Sequence, residues 1–502
     1  MTASRRSLLQ AALAAGLAPG LLSCARAGSD ERFALGVASG APRPDRLVLW
    51  TRLMGGDLPE AVPVRWQLAR DERFTDLAAQ GEETALRRDA HSVHAEPAGL
   101  VPGRPYFYRF EALGQRSAVG RTRTAPAPDA PAGLRYVIAS CQRYDMGHYA
   151  AWRDVAEWSP DLVLFLGDYV YEYASAPNRV RRHEGGFVTS LDDYRRRYAT
   201  YKRDPLLQAA HAAAPWLLVW DDHEVDNDYA ALQGQALQPD FAERRAAAYQ
   251  AWWEHQPVPR AWRPRGPDLR IVSRWTWGRL ATVHCLDDRQ YRDPQACPKP
   301  GRGGSNNVAL RDCPELLDPQ RSLLGHEQER WLADGWDLQR PWNLVAQQTL
   351  MSRFAWRDPA RDPAYWTDGW DGYPAARRRL LDGIAERRLP GAVVLGGDVH
   401  THYVAELRPD FDRPGPAVAS EFCGTSISSP SMAQARLDEA LPFNPHIRLG
   451  RSDHRGTVRF TLDERRLQAE LRAVEDVERA DSPVNTLARF IVEAGRPGPQ
   501  PA

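Results

Sequence analysis

Acidic and histidine side chains follow three apolar segments of this sequence. Asp168 ends the run "DLVLFLGD", five acids lie in "DDHEVDND" at 221–228, and Asp398 and His400 lie in "VVLGGDVH". Clustered carboxylates repel one another unless cations lie among them, so this density of acids predicts bound cations. Residues 398 and 400 share a face because alternate residues of an extended chain do so. Oxygen and imidazole donors that converge from several strand ends are typical of a metal site.

Each motif also has a purely structural interpretation. Asp168 could cap a following helix, residues 221–228 could form a solvated acidic turn, and His400 could be a hydrogen-bonded core histidine. The metal hypothesis is favoured because all of these motifs follow apolar strand-like segments. Open α/β sheets bind their ligands beyond the carboxyl ends of their strands, and functional residues would gather there.

The hydrophobic pattern predicts the elements that hold these side chains. From about 32 to 125, short runs rich in β-branched and aromatic residues alternate with turn residues, which predicts an all-β sandwich. The stretch "APAPDAPAG" at 125–133 has no core-forming residues and is interpreted as a linker. After the linker, apolar strands alternate with amphipathic helices, which predicts an α/β domain.

Composition and charge exclude some classes of partner. The chain has 502 residues, of which 43% are hydrophobic and 26% charged, and its formal net charge is zero. These values describe a soluble protein of two or more domains, with no global field that favours nucleic acid or anionic membranes. Nearly all basic residues are arginines, since Lys202 and Lys299 are the two lysines. A lone arginine is therefore weak evidence for a phosphate site.

The N-terminus resembles a twin-arginine export signal. In "SRRSLLQAALAAGLAPGLLSCARA", Arg5 and Arg6 precede an apolar run that is too short and too interrupted by Gly and Pro for a membrane span. An ordinary amphipathic helix is the alternative. The segment "LLSC" at Cys24 resembles a lipoprotein cleavage box, whereas "ARA" at 25–27 suits ordinary signal peptidase. We favour the lipid-anchored alternative and expect a periplasmic or cell-surface protein.

Four of the five other cysteines fall into two pairs. Cys297 and Cys313 bracket a loop-like stretch rich in Gly, Pro and Asn, and a disulfide there is left open. It would close a loop of about 15 residues and stabilise the fold by roughly 3 kcal/mol. Cys285 and Cys423 lie in apolar strand-like contexts and are expected to be buried thiols.

Several multi-residue blocks carry a family resemblance. "GDYVY", "DDHE" and "GGDVH" stand in the order of the GD, GNHE and GHVH blocks of calcineurin-like metallophosphoesterases. The chain more closely resembles the PhoD-type alkaline phosphatase/phosphodiesterase family, because "SCQRYDMGHYAAW", "VWDDHEVDND", "LDDRQYR" and "EFCGTSISSP" look like blocks of that family. The resemblance covers nearly all of the mature chain.

This resemblance implies an α/β fold, namely a four-layer α/β/β/α metallophosphoesterase sandwich with an N-terminal fibronectin-like all-β domain. The predicted organisation is an export signal at 1–27, the β-sandwich at 28–124, the linker at 125–133, the catalytic domain at 134–480, and a C-terminal tail at 481–502 that packs near the catalytic domain.

The resemblance also implies one ferric ion accompanied by one or two calcium ions. The residues that match the family's metal ligands are Cys141, Tyr171 and His400 for iron, Asp168 as a bridge between the metals, and Asp222 and Asp398 for calcium. Gln347 or Gln348 is expected to approach the same centre. These assignments agree with chemistry, because phenolate and carboxylate oxygens are hard donors and calcium prefers oxygen ligands. A bound cation also deprotonates a coordinated thiol.

The implied activity is hydrolysis of phosphomonoesters, phosphodiesters or both by a metal-activated hydroxide. His223 is expected to stabilise developing charge or to protonate the leaving oxygen. Arg289 is a weaker candidate for contact with the phosphate, and a surface salt bridge is its alternative role. Asp288 stands where the family more often has Thr, which leaves the role of Arg289 open. The natural substrate and the oligomeric state are also left open.

Two other functions compete with hydrolysis of phosphate esters. The first is a surface-binding protein that uses the β-sandwich and carries an inactive α/β scaffold. The second is a metal hydrolase of carbon esters or lactams, which is disfavoured because the sequence lacks a His-x-His-x-Asp-His cluster.

Overall fold

The computed structural model describes residues 31–413 and 415–502. The predicted export signal at 1–27, including Cys24, therefore lies outside the described residues. No helix in the described part of the chain has the length and apolar character needed to cross a membrane.

The N-terminal part of the described chain consists of strands. These are β1 (Val37–Gly40), β2 (Val48–Arg52), β3 (Ala61–Ala69), β4 (Leu77–Leu86), β5 (Ser92–Ala95), β6 (Pro105–Ala112), β7 (Gln115–Arg116) and β8 (Gly120–Arg123). Strand β2 pairs with β1 on one side and with β5 on the other, and β3, β4, β6, β7 and β8 form a separate antiparallel sheet.

The two groups of strands pack face to face. Buried residues alternate with exposed ones along β3 and β6, so that Val64 and Tyr108 face inward. They join one hydrophobic cluster with Val37 and Leu49 of the opposite sheet. This arrangement confirms the predicted N-terminal β-sandwich.

Strand β1 also joins the sandwich to the rest of the chain. It pairs in parallel with the strand that begins at Pro215, and a Cβ at Gly40 would lie 2.2 Å from the carbonyl oxygen of Pro257. A side chain there would therefore separate the two units. The sandwich and the following domain share one continuous sheet, which the linker predicted at 125–133 did not anticipate.

Sixteen strands and seven α-helices follow in the described part of the chain. The strands are β9 (Leu134–Ala139), β10 (Leu162–Phe165), β11 (Pro215–Leu218), β12 (Ser273–Trp277), β13 (Ala281–Cys285), β14 (Asn307–Ala309), β15 (Trp342–Ala346), β16 (Ala364–Trp366), β17 (Ala392–Gly396), β18 (His402–Leu407), β19 (Ala419–Cys423), β20 (Ile447–Arg451), β21 (Arg455–Leu462), β22 (Arg466–Val474), β23 (Val484–Glu493) and β24 (Arg496–Pro501). The helices are α1 (Ala150–Trp158), α2 (Leu191–Lys202), α3 (Pro205–Ala213), α4 (Phe241–His255), α5 (His326–Asp334), α6 (Pro374–Arg387) and α7 (Gln434–Ala440).

Two large sheets form the centre of this domain. One has ten strands in the order β24-β23-β22-β21-β9-β10-β11-β1-β2-β5, and the other has seven in the order β12-β13-β15-β17-β19-β18-β20. The sheets meet through buried apolar side chains, and the rings of Phe422 and Phe460 lie 5.3 Å apart across the interface.

Helices cover the outer faces of both sheets. Trp152 of α1 packs against Phe165 and Trp216 of the ten-stranded sheet. Leu332 of α5 and Ile384 of α6 belong to a cluster on the seven-stranded sheet. The four-layer α/β/β/α prediction is therefore confirmed.

Parallel strands place their carboxyl ends at one edge of this sandwich. Strands β9, β10 and β11 are parallel in the first sheet, and β13, β15, β17 and β19 are parallel in the second. The segments that leave these strands meet at this edge. They include residues 140–143, 166–173, 219–228, 286–292, 347–351, 397–401 and 424–431.

The C-terminal residues are strands of the ten-stranded sheet. Strand β23 pairs with β22 from Val484 to Glu493, and β24 is the outermost strand. The prediction of a tail at 481–502 that packs near the catalytic domain is corrected accordingly. Strand β24 contains three prolines, at 497, 499 and 501, and prolines are tolerated on edge strands because one side of the backbone needs no partner.

Candidate metal centre

Two glycines allow the strand ends to come close together. At Gly167, where φ is +108°, a Cβ would lie 2.4 Å from the Cβ of Asp221 and 2.6 Å from its backbone nitrogen. At Gly397, a Cβ would lie 2.4 Å from Oγ of Ser140. Real Cβ atoms do not approach so closely, so both positions require glycine. The sheets can therefore bring their loops into direct contact.

Four of the predicted ligands have a left-handed backbone. The φ angles are 58° at Cys141, 59° at Asp168, 63° at Asp398 and 52° at His400. This conformation costs roughly 1–2 kcal/mol for a residue other than glycine, and such residues cluster at functional sites. The surrounding structure maintains four residues in this conformation along one edge of the sandwich.

The first cluster joins both sheets. Ligand atoms of Cys141, Asp168 and His400 all lie within 4.8 Å of one another. The hydroxyl of Tyr171 donates to Oδ2 of Asp168 at 2.7 Å and lies 3.2 Å from Nε2 of His400. Ser429 donates to the Tyr171 oxygen at 2.8 Å. Tyr171 reaches Asp168 through an irregular loop, so the alternative in which Asp168 caps a helix does not apply.

His400 presents a ring nitrogen to this cluster. Its Nδ1 lies 2.7 Å from the carbonyl oxygen of Pro430, which can only accept, so Nδ1 carries the proton. Nε2 therefore has a free lone pair, and a carbonyl partner of this kind is typical of metal-binding histidines. Burial lowers the pKa of His400 to about 3, so the imidazole is neutral, as a ligand requires.

A second cluster of carboxylates adjoins the first. Asp168 and Asp222 lie with His223 within 4.8 Å, and Asp221, Asp222 and Asp398 form another group of the same size. Burial raises the pKa of Asp168 and Asp221 well above the usual range, and raises that of Asp398 to about 7. These shifts express the cost of burying several like charges together.

The donor set fits bound cations. Oδ2 of Asp221 is buried and has no hydrogen-bond partner among the described residues. At Asp222, burial alone would raise the pKa, but Arg289 and His223 lower it, so this carboxylate is ionised. An unpaired buried oxygen beside ionised carboxylates is stabilised most directly by a metal ion.

Arg289 lies inside the acidic cluster. Its guanidinium donates to Asp221 and, at 2.7 Å, to Asp368. Its Nη2 lies 3.6 Å from Asp398 and 3.9 Å from Asp222, and has no hydrogen-bond partner among the described residues. The side chain is 1% exposed, so the alternative of a surface salt bridge is wrong.

Asp368 is a member of the site that the sequence analysis missed. It also accepts hydrogen bonds from Arg292 and Gln295, both at 2.8 Å. Burial alone would raise its pKa, but Arg289 and Arg292 outweigh that effect and lower the pKa well below the usual range. Asp368 lies in a loop after β16, a strand of three residues, and belongs to none of the motifs found in the sequence. Its position was therefore not recognisable from local pattern.

His223 is held by Glu172, which the sequence analysis did not assign. Nδ1 of His223 lies 2.8 Å from Oε2 of Glu172, and the other oxygen accepts from the backbone of Asn227 at 3.0 Å. Burial alone would lower the pKa of His223, but Glu172, Asp222 and Asp168 outweigh burial and raise it well above its usual value. The imidazole is therefore protonated, and Nε2–H is available to a substrate.

Glu224 also has a structural role that was not predicted. Its buried carboxylate accepts backbone N–H groups of Asp168 at 2.9 Å, Tyr169 at 2.6 Å and Asp221 at 2.9 Å. One side chain thus holds the loops that follow β10 and β11 in a fixed relation. We interpret Glu224 as a positioning residue for Asp168.

The segment after β15 contributes a threonine. The amide of Gln348 accepts from the backbone of Asp288 at 3.1 Å, and the amide of Gln347 donates to the backbone of Thr349. Both glutamines therefore hold loop backbone. Thr349 is the residue of this segment that contacts a candidate ligand, because it donates to Oδ2 of Asp398 at 2.8 Å.

Comparison with known proteins gives this geometry a family. The profile of the PhoD-like phosphatases matches residues 136–471, and that of their N-terminal domain matches residues 18–126. The chain belongs to the PhoD-like phosphatase family. Alkaline phosphatase D of Bacillus subtilis (strain 168) is 40% identical over an alignment of 528 positions, which covers 99% of this chain and 89% of that protein.

Solved structures agree with this membership. A structure of PhoD, 40% identical, superposes with a TM-score of 0.89 over 95% of this chain and 93% of that chain. A purple acid phosphatase from yellow lupin (Lupinus luteus) seeds, 12% identical, has a TM-score of 0.56 over 91% of this chain and 74% of that one, and shares the fold. The predicted family is confirmed, and the chain is a hydrolase of phosphoric esters.

Proposed function

We propose that this PhoD-like phosphatase is an exported, metal-dependent enzyme that hydrolyses phosphomonoesters, phosphodiesters or both. We further propose that it binds one ferric ion and one or two calcium ions. The observation that carries the proposal is the convergence of thiol, phenol, imidazole and carboxylate groups on one edge of the two sheets. No single strand provides this donor set.

Cys141, Tyr171, His400 and Asp168 are the proposed iron ligands. Burial, with a further contribution from Asp168, raises the pKa of the Cys141 thiol and the Tyr171 phenol well above their usual values. Both groups are neutral without a cation, and a bound cation would deprotonate them. Phenolate and carboxylate oxygens are hard donors that suit ferric iron.

Asp222 and Asp398 are the proposed calcium ligands, and Asp168 would be shared with iron. Asp221 adds the unpaired oxygen described above. A further group is formed by Asp222, Asp228 and Asp368 within 4.8 Å. Asp368 is paired with Arg289 at 2.7 Å and with Arg292 at 2.8 Å, whereas Asp398 lies 3.6 Å from Arg289, so Asp398 is the better calcium ligand.

Bound cations would supply positive charge to the phosphate oxygens and lower the pKa of water at the site. His223 would donate its Nε2 proton to the leaving oxygen or stabilise negative charge there, because Glu172 keeps the ring protonated. Arg289 would fix Asp221 and Asp368. A contact between Arg289 and the phosphate would use Nη2, its nitrogen that lacks a hydrogen bond in the described structure.

Export is proposed from the twin-arginine segment and from cysteine usage. Cys297 and Cys313 form a disulfide, which is typical of proteins outside the cytoplasm. We expect a variant with Arg5→Lys and Arg6→Lys to accumulate in the cytoplasm. A Cys24→Ser variant should leave the membrane fraction, and its retention there would contradict the lipid anchor.

Metal analysis and spectroscopy of the purified protein test the enzymatic proposal. We expect iron and calcium, a visible band from charge transfer between Tyr171 and iron, and turnover of nitrophenyl phosphate or bis-nitrophenyl phosphate that chelation abolishes. Asp168→Ala should remove nearly all activity. Tyr171→Phe should remove the band, whereas Tyr173→Phe, which loses only a hydrogen bond to Asn227, should retain it. A colourless, metal-free protein inactive on both esters would refute the proposal.

A further inference from the structure

An apolar cavity of about 240 Å³ lies beside the candidate metal centre. Its walls are mainly aromatic and aliphatic side chains: Leu350, Phe354, Trp356, Trp366, Tyr403 and Met432. The chemistry of the metal centre alone does not assign a role to this cavity.

The cavity adjoins the site because the same loops build both. Thr349 lines the cavity and donates to Oδ2 of the candidate ligand Asp398 at 2.8 Å. Val399, which lies between Asp398 and His400 in the chain, is also in the wall. A group bound in the cavity would therefore adjoin a phosphate at the metal centre.

A second loop makes the same connection. The carbonyl oxygen of Pro430 accepts the Nδ1 proton of His400 at 2.7 Å, and Met432, two residues further on, lines the cavity. The segment that orients a candidate iron ligand thus continues directly into the apolar wall.

Aromatic packing holds the walls in place. The ring of Phe354 lies edge to face with Trp356 at 4.7 Å and packs against Tyr403 at 5.4 Å. Phe354 and Tyr403 are buried, whereas Trp356 is partly exposed. The guanidinium of Arg436 lies over the ring of Trp356, 4.7 Å from its centroid. The cavity is therefore formed before any ligand binds, which lowers the entropy cost of binding.

We propose that this cavity binds the apolar organic group of the phosphate ester. The inference rests on the proposed function and narrows its substrate class to esters that carry an aromatic ring or a short aliphatic group. An apolar cavity of about 150 Å³ accommodates benzene, so the present volume has room for a substituted ring. Small polar esters such as glycerol phosphates would leave the apolar walls in contact with water.

Competitive inhibition by two phosphonates tests this assignment in the metal-loaded enzyme. Methylphosphonate and phenylphosphonate present the same anionic group and differ only in the organic substituent. We expect the inhibition constant of phenylphosphonate to be about 10-fold lower or more, as is usual when a hydrophobic pocket accepts a matching group.

Two cavity variants should remove this selectivity. Trp356→Ala opens one wall, and Met432→Trp fills the space, so the ratio of the two inhibition constants should fall to within about 3-fold in each. Trp336→Ala is the matched control, because this partly buried tryptophan packs beside α5 and does not line the cavity. The control should keep the wild-type ratio.

The outcomes separate the two proposals. If the wild-type enzyme does not distinguish the phosphonates, or if both cavity variants keep the ratio, the cavity assignment is wrong while phosphatase turnover and methylphosphonate inhibition still support the proposed function. If the protein shows neither turnover nor inhibition by either phosphonate, the proposed function fails and the cavity assignment fails with it.

Discussion

Glu172 accepts a hydrogen bond from Nδ1 of His223 at 2.8 Å in the interior of the site. This carboxylate is 1% exposed and is the nearest cause that raises the pKa of His223 against the effect of burial. The pair therefore favours the protonated imidazole at this position. Its residues are 51 positions apart in the chain.

Glu172→Gln should shift the pH dependence of turnover. Loss of the anion lowers the pKa of His223, and the protonated form is lost as pH rises through that pKa. The alkaline limb of the pH–rate profile should therefore move to lower pH. Profiles of the variant and of Glu157→Gln, an exposed control on α1, measure the shift. Identical alkaline limbs would contradict the assignment.

His223→Asn should reduce turnover in a way that depends on the leaving group. General acid catalysis contributes about 10²–10⁴-fold, and it matters most when the leaving oxygen is a strong base. We expect a loss of about 10²-fold or more with an alkyl phosphate and a smaller loss with nitrophenyl phosphate. Equal losses on both esters would show that His223 does not donate a proton.

Gly167→Ala should destabilise the protein strongly. The new Cβ would lie 2.4 Å from the Cβ of Asp221, and the positive φ of 108° adds strain. We expect a cost of about 3 kcal/mol, measured by denaturant unfolding. Gly186→Ala is the control, because a Cβ there meets no atom within 4 Å, and its effect should stay within about 0.5 kcal/mol. Equal losses of stability in the two variants would mean that the loops can move apart freely.

Removal of metal should make stability fall as pH rises from about 5 to 7. Burial raises the pKa of Asp398 and of Glu224 to about 7. Between about pH 4 and 7, the folded state keeps protons that the unfolded state has released. The stability that these protons contribute is complete below about pH 4 and is lost as pH rises through 7. Thermal unfolding of chelated protein should show the fall, and calcium at pH 7 should reverse much of it. A thermal unfolding midpoint of the chelated protein that rises with pH over this range would contradict the prediction.

The disulfide between Cys297 and Cys313 should stabilise the loop that contacts Asp228. Ser305, within this loop, donates its backbone N–H and its hydroxyl to Oδ2 of Asp228 at 2.9 and 2.6 Å. Replacement of both cysteines by serine should cost roughly 3 kcal/mol through the greater freedom of the unfolded chain. Reductant should lower the unfolding midpoint of the wild type and leave that of the double variant unchanged.

The sequence pattern alone predicted an all-β segment, an α/β segment and the functional residues at the strand ends, and the family resemblance implied the four layers. Apolar runs followed by Asp168, Asp222 and Asp398 are local patterns, because each strand and the loop that leaves it are adjacent in the chain. The family blocks then predicted the donor set. The contact of Tyr171 with Asp168 also follows from short spacing, since the two residues are three positions apart.

Tertiary structure alone decided which charges meet. Asp368 contacts Arg289 across 79 residues, and His223 acquires its pKa from Glu172, which no spacing rule connects to it. The C-terminal segment becomes strands because β22 offers an open edge for pairing. A local pattern specifies what a residue can do, whereas a long-range ion pair or strand pair depends on which surfaces the packing of two sheets brings together.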